Sequence, residues 1–321
     1  MSRCIAVVNK GLDDICREMI LKTAAETGFA VAFYGSEAEA GEALSEAEII
    51  YGYTPQAAKY SDALKWLCLS SAGADAFCDP GALKHEETIL TNSSGAYGLT
   101  LAEHTIMLTL MVLRRMPEFA AAMAERKWLS PVPQGSIKDS RVTLLGAGDI
   151  GSCVARRLRP FEPACITAVN RSGHSQETCF DAVFPQSELE RILPETDILI
   201  MSLPSTPETV GIMNARTLAL LPETAVLVNV GRGNAIDEPA LIESLNTGKL
   251  AGAALDVMMH EPLPEDDPLW NAKNLLMTPH VAGNLTVPYT RHKNTEMFCE
   301  DLRRYAAGEP LKYVVNRALR Y

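Results

Sequence analysis

The strongest constraint on the fold is a glycine spacing. Gly146-Ala147-Gly148-Asp149-Ile150-Gly151 follows the apolar run 142–145 and opens a helical stretch that continues through Arg159. Glycines at this spacing between a strand and a helix solve one packing problem. The first permits a tight turn, the second lets the backbone approach a bound group, and the third lets helix and strand lie close together. The helix start then offers free N–H groups and partial positive charge, which suit phosphates. The segment therefore predicts a dinucleotide site built from Gly146, Gly148, Asp149, Ile150 and Gly151.

Short β-favouring runs at 5–8, 29–34, 48–51, 66–69 and 88–92 precede this motif. A further series begins with its strand, at 141–145, 165–169, 182–184, 198–201, 225–229, 250–254 and 275–277. Alternation with helical stretches predicts an α/β protein with two Rossmann-like domains and doubly wound parallel sheets. Between the series, apolar residues keep helical spacing over 99–116 with no proline before Pro117, which predicts the longest helix of the chain. Residues 118–139 carry Trp128, Pro131, Pro133 and Gly135, too many breakers for a helix, and predict a linker or an oligomer contact. An amphipathic helix over 290–307, ended by Gly308 and Pro310, is expected to return to the first unit.

A length of 321 residues exceeds what one core usually supports. The expected division is a discontinuous substrate domain, 1–98 with 289–321, and a dinucleotide-binding domain, 99–288. Net charge is −11, from 40 acidic and 29 basic residues without a basic run, which argues against nucleic acid or an anionic membrane as partner. The N-terminal apolar stretch reads as a strand, not a signal segment, and no apolar run approaches the ~20 residues of a membrane span. The eight cysteines form no CxxC pair and no histidine stands at ligand spacing. They read as reduced, mostly buried thiols of a cytoplasmic protein without a metal site.

Where an acid would commonly bind the ribose hydroxyls of NAD, the second cofactor strand ends in Val169-Asn170-Arg171-Ser172. Asn170 does not repel a 2′-phosphate, and Arg171 and Ser172 can hydrogen-bond it, so the reading favours NADP over NAD. Arg232 stands between glycines in Asn229-Val230-Gly231-Arg232-Gly233, directly after a strand, where its permanently charged fork can grip a carboxylate and polarise a neighbouring carbonyl. Ala254-Leu255-Asp256-Val257 leads to Glu261-Pro262, and Thr278-Pro279-His280-Val281-Ala282-Gly283 sets a histidine beyond another strand. These strand ends are where an open α/β sheet places its ligands.

In these motifs the chain resembles the D-isomer-specific 2-hydroxyacid dehydrogenases over essentially its full length: GAGDIG, LPSTPET, NVGRG, LDV…EPLP…PLW and TPHVAG follow the family's order. The resemblance implies substrate binding by Arg232, general acid/base action by His280 and pairing of that histidine with Glu261. It implies nicotinamide contact by Asp256, and receipt of the substrate carboxylate by the backbone at Ala72 and Gly73. Further cofactor contacts are implied at Leu203, Pro204, Thr209, Val230, Gly231, His280 and Gly283. It also implies a homodimer through the cofactor domains, with the 99–116 helix and the Trp128 arm contributing, and a cleft that closes on substrate.

The chemistry agrees. Reduction of a 2-oxo acid needs a hydride at C2 and a proton on the developing alkoxide, and histidine is the natural donor near neutral pH. A neighbouring carboxylate favours its imidazolium. His85, His104, His174 and His292 lack such surroundings and read as surface or packing residues, with the helix of Glu103 and His104 read as dimer interface. Met258-Met259-His260 departs from the family's commonest pattern, and His260 receives no role. Rival readings are a dinucleotide-sensing corepressor-like protein and a related dehydrogenase of formate or phosphite. A partner-binding tail or a glutamine near His280 would favour one or the other, and neither is evident.

Overall fold

A parallel strand covered on both faces reads as an unbroken apolar run, and most strands here have that character. The computed structural model describes residues 3–321. Strands β1 (Cys4–Val8), β2 (Ala30–Tyr34), β3 (Ile49–Gly52), β4 (Trp66–Cys68) and β5 (Ile89–Thr91) form a five-stranded parallel sheet in the order β2-β1-β3-β4-β5. Strands β6 (Arg141–Leu145), β7 (Cys165–Asn170), β8 (Ala182–Pro185), β9 (Ile198–Met201), β10 (Val226–Asn229), β11 (Gly252–Leu255) and β12 (Leu275–Met277) form a seven-stranded parallel sheet in the order β12-β11-β10-β9-β6-β7-β8. The α/β class and doubly wound sheets are those expected from the sequence.

The chain divides into two compact units, one holding the residues up to Tyr97 together with Asn284–Tyr321, the other Gly98–Gly283. Residues 284–288 thus lie with the first unit and Gly98 with the second, the reverse of their expected assignment.

In the first unit the two-residue period of a strand sorts its side chains into separate cores. Ile5, Val7, Ile49, Tyr51, Trp66 and Cys68 line one face, while Ala6, Val8, Ile50 and Leu67 line the other. The helix Pro288–Ala307 covers the first face, stacking Phe298 on Tyr51 with ring centroids 4.3 Å apart. It ends at Gly308, whose φ of 72° suits a left-handed cap.

With 20 residues this helix, not the 16-residue helix Gly98–Leu113, is the longer, which corrects the sequence expectation. The apolar periodicity over 99–116 spans a break: Arg115 is left-handed at φ 59°, and a separate helix, Met116–Ala124, starts beyond it. Pro117 stands in its first turn, where a missing N–H breaks no hydrogen bond, so it initiates a helix where the sequence reading took it as a breaker. Irregular backbone begins only after that helix, and Trp128 there is fully exposed.

In the second unit the chain runs outward from β6 to β7 and β8, then returns to place β9 on the other side of β6. That reversal opens a crevice beyond the strand ends between β6 and β9. The helix Gly98–Leu113 packs on the helix Asp149–Leu158 and on β10 and β11, so the helix read as a dimer interface has a face inside its own unit. No helix among the described residues is long and apolar enough to cross a membrane. All eight cysteines are free, but only Cys16, Cys68, Cys78 and Cys299 are buried, fewer than expected.

Asp13 shows how a single carboxylate ties distant sequence together. It caps the helix Asp14–Thr27 by accepting the Cys16 N–H at 3.0 Å, and it meets Arg291 at 2.6 Å and His292 at 2.9 Å. Cys16, Asp13 and His292 have ligand-type atoms within 4.8 Å of one another, but the Arg291 guanidinium on the same carboxylate marks a cap and ion pair, not a cation site. The Cys16 N–H, opposed by partial burial and reinforced by His292 and Arg291, holds the Asp13 carboxyl well below its ordinary value.

A depressed carboxyl contributes stability that is present above its unfolded pKa and lost as pH falls through the folded one. Asp13→Ala is therefore expected to cost about 1 kcal/mol, the usual worth of such a cap. In urea titrations the gap from wild type should be full at neutral pH and should close as pH falls below the ordinary value of 3.8.

Candidate active site

The glycines after β6 occupy three different environments. Gly146 has φ 108°, and a Cβ there would lie 2.8 Å from Ser202 Oγ. A Cβ on Gly151 would lie 2.0 Å from the Gly146 carbonyl oxygen, so the helix Asp149–Leu158 can approach β6 only without one. Gly148, the N-cap of that helix, would meet nothing within 4 Å. An open backbone at a helix start, with its neighbours closely packed, fits a dinucleotide pyrophosphate. Ile150 follows in the first helical turn. The Asp149 carboxylate packs against Gly98, and burial pushes its carboxyl above the ordinary range despite the Gly98 N–H.

The end of β7 is a turn built by one amide. Asn170 Oδ1 accepts the N–H groups of Ser172 at 3.1 Å and Gly173 at 2.7 Å, while its Nδ2 donates to the His174 carbonyl at 2.7 Å. Asn170 is thereby engaged in shaping the loop, and Arg171 and Ser172 are exposed on it. After β9, Thr209 Oγ1 donates to the Pro204 carbonyl at 2.7 Å and accepts the Thr206 N–H at 2.9 Å, which fixes the loop that starts at Leu203.

After β10, Asn229 pins the turn that carries Arg232: its Oδ1 accepts the Gly231 N–H at 3.0 Å and its Nδ2 donates to the Arg232 carbonyl at 2.9 Å. Val230 is buried beside them. A Cβ on Gly231 would lie 2.6 Å from Leu203 N, and one on Gly233 would lie 2.0 Å from the Met258 carbonyl carbon, so the loops after β9, β10 and β11 interlock.

His280 follows β12, and its Nδ1 lies 2.6 Å from Glu261 Oε2. The other oxygen, Oε1, accepts the Met258 N–H at 2.9 Å, which fixes the carboxylate in place. An ionised Glu261 can only accept, so Nδ1 carries a proton toward it and Nε2 is the ring nitrogen that Glu261 does not engage. The His280 backbone is left-handed at φ 52°, which costs roughly 1 to 2 kcal/mol for a residue with a Cβ.

Asp256, one residue beyond β11, is 1% exposed. Its Oδ1 accepts from Thr278 Oγ1 at 2.6 Å and from the Val281 N–H at 2.9 Å, and its Oδ2 accepts the Ala282 N–H at 3.0 Å. Its backbone carbonyl accepts the His280 N–H at 2.8 Å. The histidine turn is thus wrapped around one carboxylate, with Gly283 at the end of the unit.

His104, read from the sequence as a surface or packing residue, lies beside the turn that carries His280. Its Nε2 lies 3.1 Å from Thr278 Oγ1 and 3.6 Å from Asp256 Oδ1. Burial holds its pKa down, against the opposing pull of the Asp256 charge. These contacts join residues distant in sequence, and the one signal in the sequence is the place of His104 on an apolar helix, which reads as packing or dimer interface. In the first unit, Ala72 and Gly73 follow β4. Their carbonyls accept from Asn92 Nδ2 at 2.7 Å and Ser71 Oγ at 2.8 Å, while no acceptor among the described residues takes their N–H groups.

Known proteins resemble this chain in sequence and in fold. The family model described as D-isomer specific 2-hydroxyacid dehydrogenase, NAD binding domain, matches residues 106–282. A glyoxylate/hydroxypyruvate reductase A of Klebsiella pneumoniae is 35% identical over 225 residues, covering 70% of this chain and 70% of that protein. The crystal structure of a D-isomer specific 2-hydroxyacid dehydrogenase family protein from Aeromonas salmonicida superposes with a TM-score of 0.85 at 30% identity, covering 99% of this chain and all of that one. An NADPH-dependent glyoxylate/hydroxypyruvate reductase from Sinorhizobium meliloti, solved with NADP and sulfate, gives a TM-score of 0.82 at 25% identity over the full length of both chains.

The glycine environments separate folding from binding. Gly151→Ala should lower the thermal midpoint of the cofactor-free protein, because its methyl must displace the Gly146 carbonyl. Gly148→Ala should melt like wild type yet bind a nicotinamide dinucleotide about tenfold more weakly, a loss of about 1.4 kcal/mol, as read by calorimetric titration. Equal melting of all three proteins would contradict the packing role of Gly151.

Proposed function

Because the chain belongs to the D-isomer-specific 2-hydroxyacid dehydrogenase family of NAD(P)-dependent oxidoreductases, we propose that it reduces small 2-oxo acids, glyoxylate and hydroxypyruvate foremost, with NADPH as the donor. The observation that carries this reading is the 2.6 Å pair of His280 Nδ1 and Glu261 Oε2 at the strand ends of the dinucleotide unit. Bound there, a nicotinamide supplies a hydride to the substrate C2. His280, its Nδ1 held by Glu261, gives a proton from Nε2 to the carbonyl oxygen and takes it back in the reverse reaction. Arg232 grips the substrate carboxylate and polarises the carbonyl.

The cofactor would be held by Gly146, Gly148, Asp149, Ile150 and Gly151 at its phosphates, with Leu203, Pro204, Thr209, Val230, Gly231, Asp256 and Gly283 around the remainder. Preference for NADPH over NADH is supported by exposed Arg171 and Ser172 at the end of β7, where no acid stands, and by the NADP of the Sinorhizobium relative. Asn170 contributes by shaping that loop. We assign the enzyme to the cytoplasm and to a homodimer whose contact includes the exposed Trp128 arm.

Initial rates with glyoxylate, hydroxypyruvate, pyruvate and 2-oxoisocaproate, each with NADPH and NADH, test the reading. Glyoxylate or hydroxypyruvate with NADPH should lead, His280→Ala should lose roughly 10²- to 10⁴-fold in kcat, and Arg171→Ala should weaken the preference for NADPH. Absence of turnover with every 2-oxo acid, although the dinucleotide binds, would refute it.

A further inference from the structure

We propose that His104 is a positioning residue that sets the turn carrying His280, acting through the hydroxyl of Thr278 and the carboxylate of Asp256. The inference rests on the reading of His280 as proton donor and extends it to a residue on another element.

Counting protons fixes the direction of each hydrogen bond here. Thr278 has a single hydroxyl proton, and the buried Asp256 carboxylate, 2.6 Å away, can only accept it when ionised. The threonine oxygen is then an acceptor toward His104 Nε2, 3.1 Å away, so that nitrogen must carry a proton. Donation therefore runs from His104 Nε2–H to Thr278 Oγ1, and from Thr278 Oγ1–H to Asp256 Oδ1. The same carboxylate takes the N–H groups of Val281 and Ala282, the two residues that follow His280. The side chain of His104 is only 16% exposed, which shelters this chain of donors from water, and its lowered pKa keeps the ring neutral with one donating nitrogen.

An apolar residue at 104 would fill the space but leave Thr278 Oγ1 without a donor, freeing the hydroxyl to turn from Asp256. The carboxylate would then hold the turn by its backbone contacts alone. Glutamine can place an amide N–H near the position of Nε2 and should restore the chain of donors.

Hydrogen–deuterium exchange of the full-length, cofactor-free protein reads the turn without reference to turnover. His104→Leu should speed exchange in peptides spanning 278–283, and His104→Gln should return it toward wild type. In steady state with glyoxylate and NADPH, His104→Leu should lower kcat about tenfold while the KM for NADPH stays within about twofold, and His104→Gln should recover most of kcat. Unchanged exchange and kcat in His104→Leu would overturn the proposal, as would equal losses in the leucine and glutamine variants, which would mark a packing role for the ring. His280→Ala, measured alongside, separates the two levels. If it is inactive while His104→Leu behaves as wild type, the positioning role alone fails; if it keeps wild-type turnover, the reading of His280 fails first.

Discussion

The arrangement depends on a carboxylate that water does not reach. Asp256 is 1% exposed, and an ionised group so placed is tolerated only with its oxygens satisfied. Here the satisfying donors are the Thr278 hydroxyl and the N–H groups of Val281 and Ala282. Removing the carboxylate would leave those donors orphaned, and removing the donors would leave a bare buried charge. The consequence is a turn with one low-energy arrangement, tight enough to hold His280 in a left-handed backbone that a residue with a side chain rarely adopts.

Close backbone approach does the complementary work around it. Gly151 lets the helix reach β6, Gly231 lets the Arg232 turn reach Leu203, and Gly233 lets the same turn reach Met258. The Met258 N–H in turn fixes Glu261, and Glu261 fixes the His280 ring. Arg232 and His280 thereby each have two supports: a strand end that delivers the residue and a neighbouring loop packed against it. Such preorganisation is what electrostatic and proton-transfer catalysis require, since groups aimed in advance need little rearrangement during the reaction.

Much of this was legible in the sequence because strand–loop–helix units announce themselves locally. The runs around β10, β11 and β12 are apolar and lead straight into the NVGRG, LDV and TPHVAG motifs, so the strands and the residues just past them, Arg232, Asp256 and His280, fall out of a linear reading. The role of Pro117 did not, because proline stops a helix from within and starts one from its first turn, and only the left-handed Arg115 ahead of it decides between these. His104 was missed for a different reason. Its partners, Thr278 and Asp256, are remote in sequence and reach it only through the packing of the helix Gly98–Leu113 on the second sheet.

Hydride delivery to C2 leaves an isotopic signature. NADPH deuterated at the nicotinamide C4, on either face, is incubated with the enzyme and glyoxylate or hydroxypyruvate, and the hydroxy acid is analysed by mass spectrometry. Direct hydride transfer predicts product carrying one deuterium at C2 from one of the two labelled cofactors. Hydroxy acid formed without deuterium from either, or cofactor bound tightly with no hydroxy acid formed at all, would contradict it.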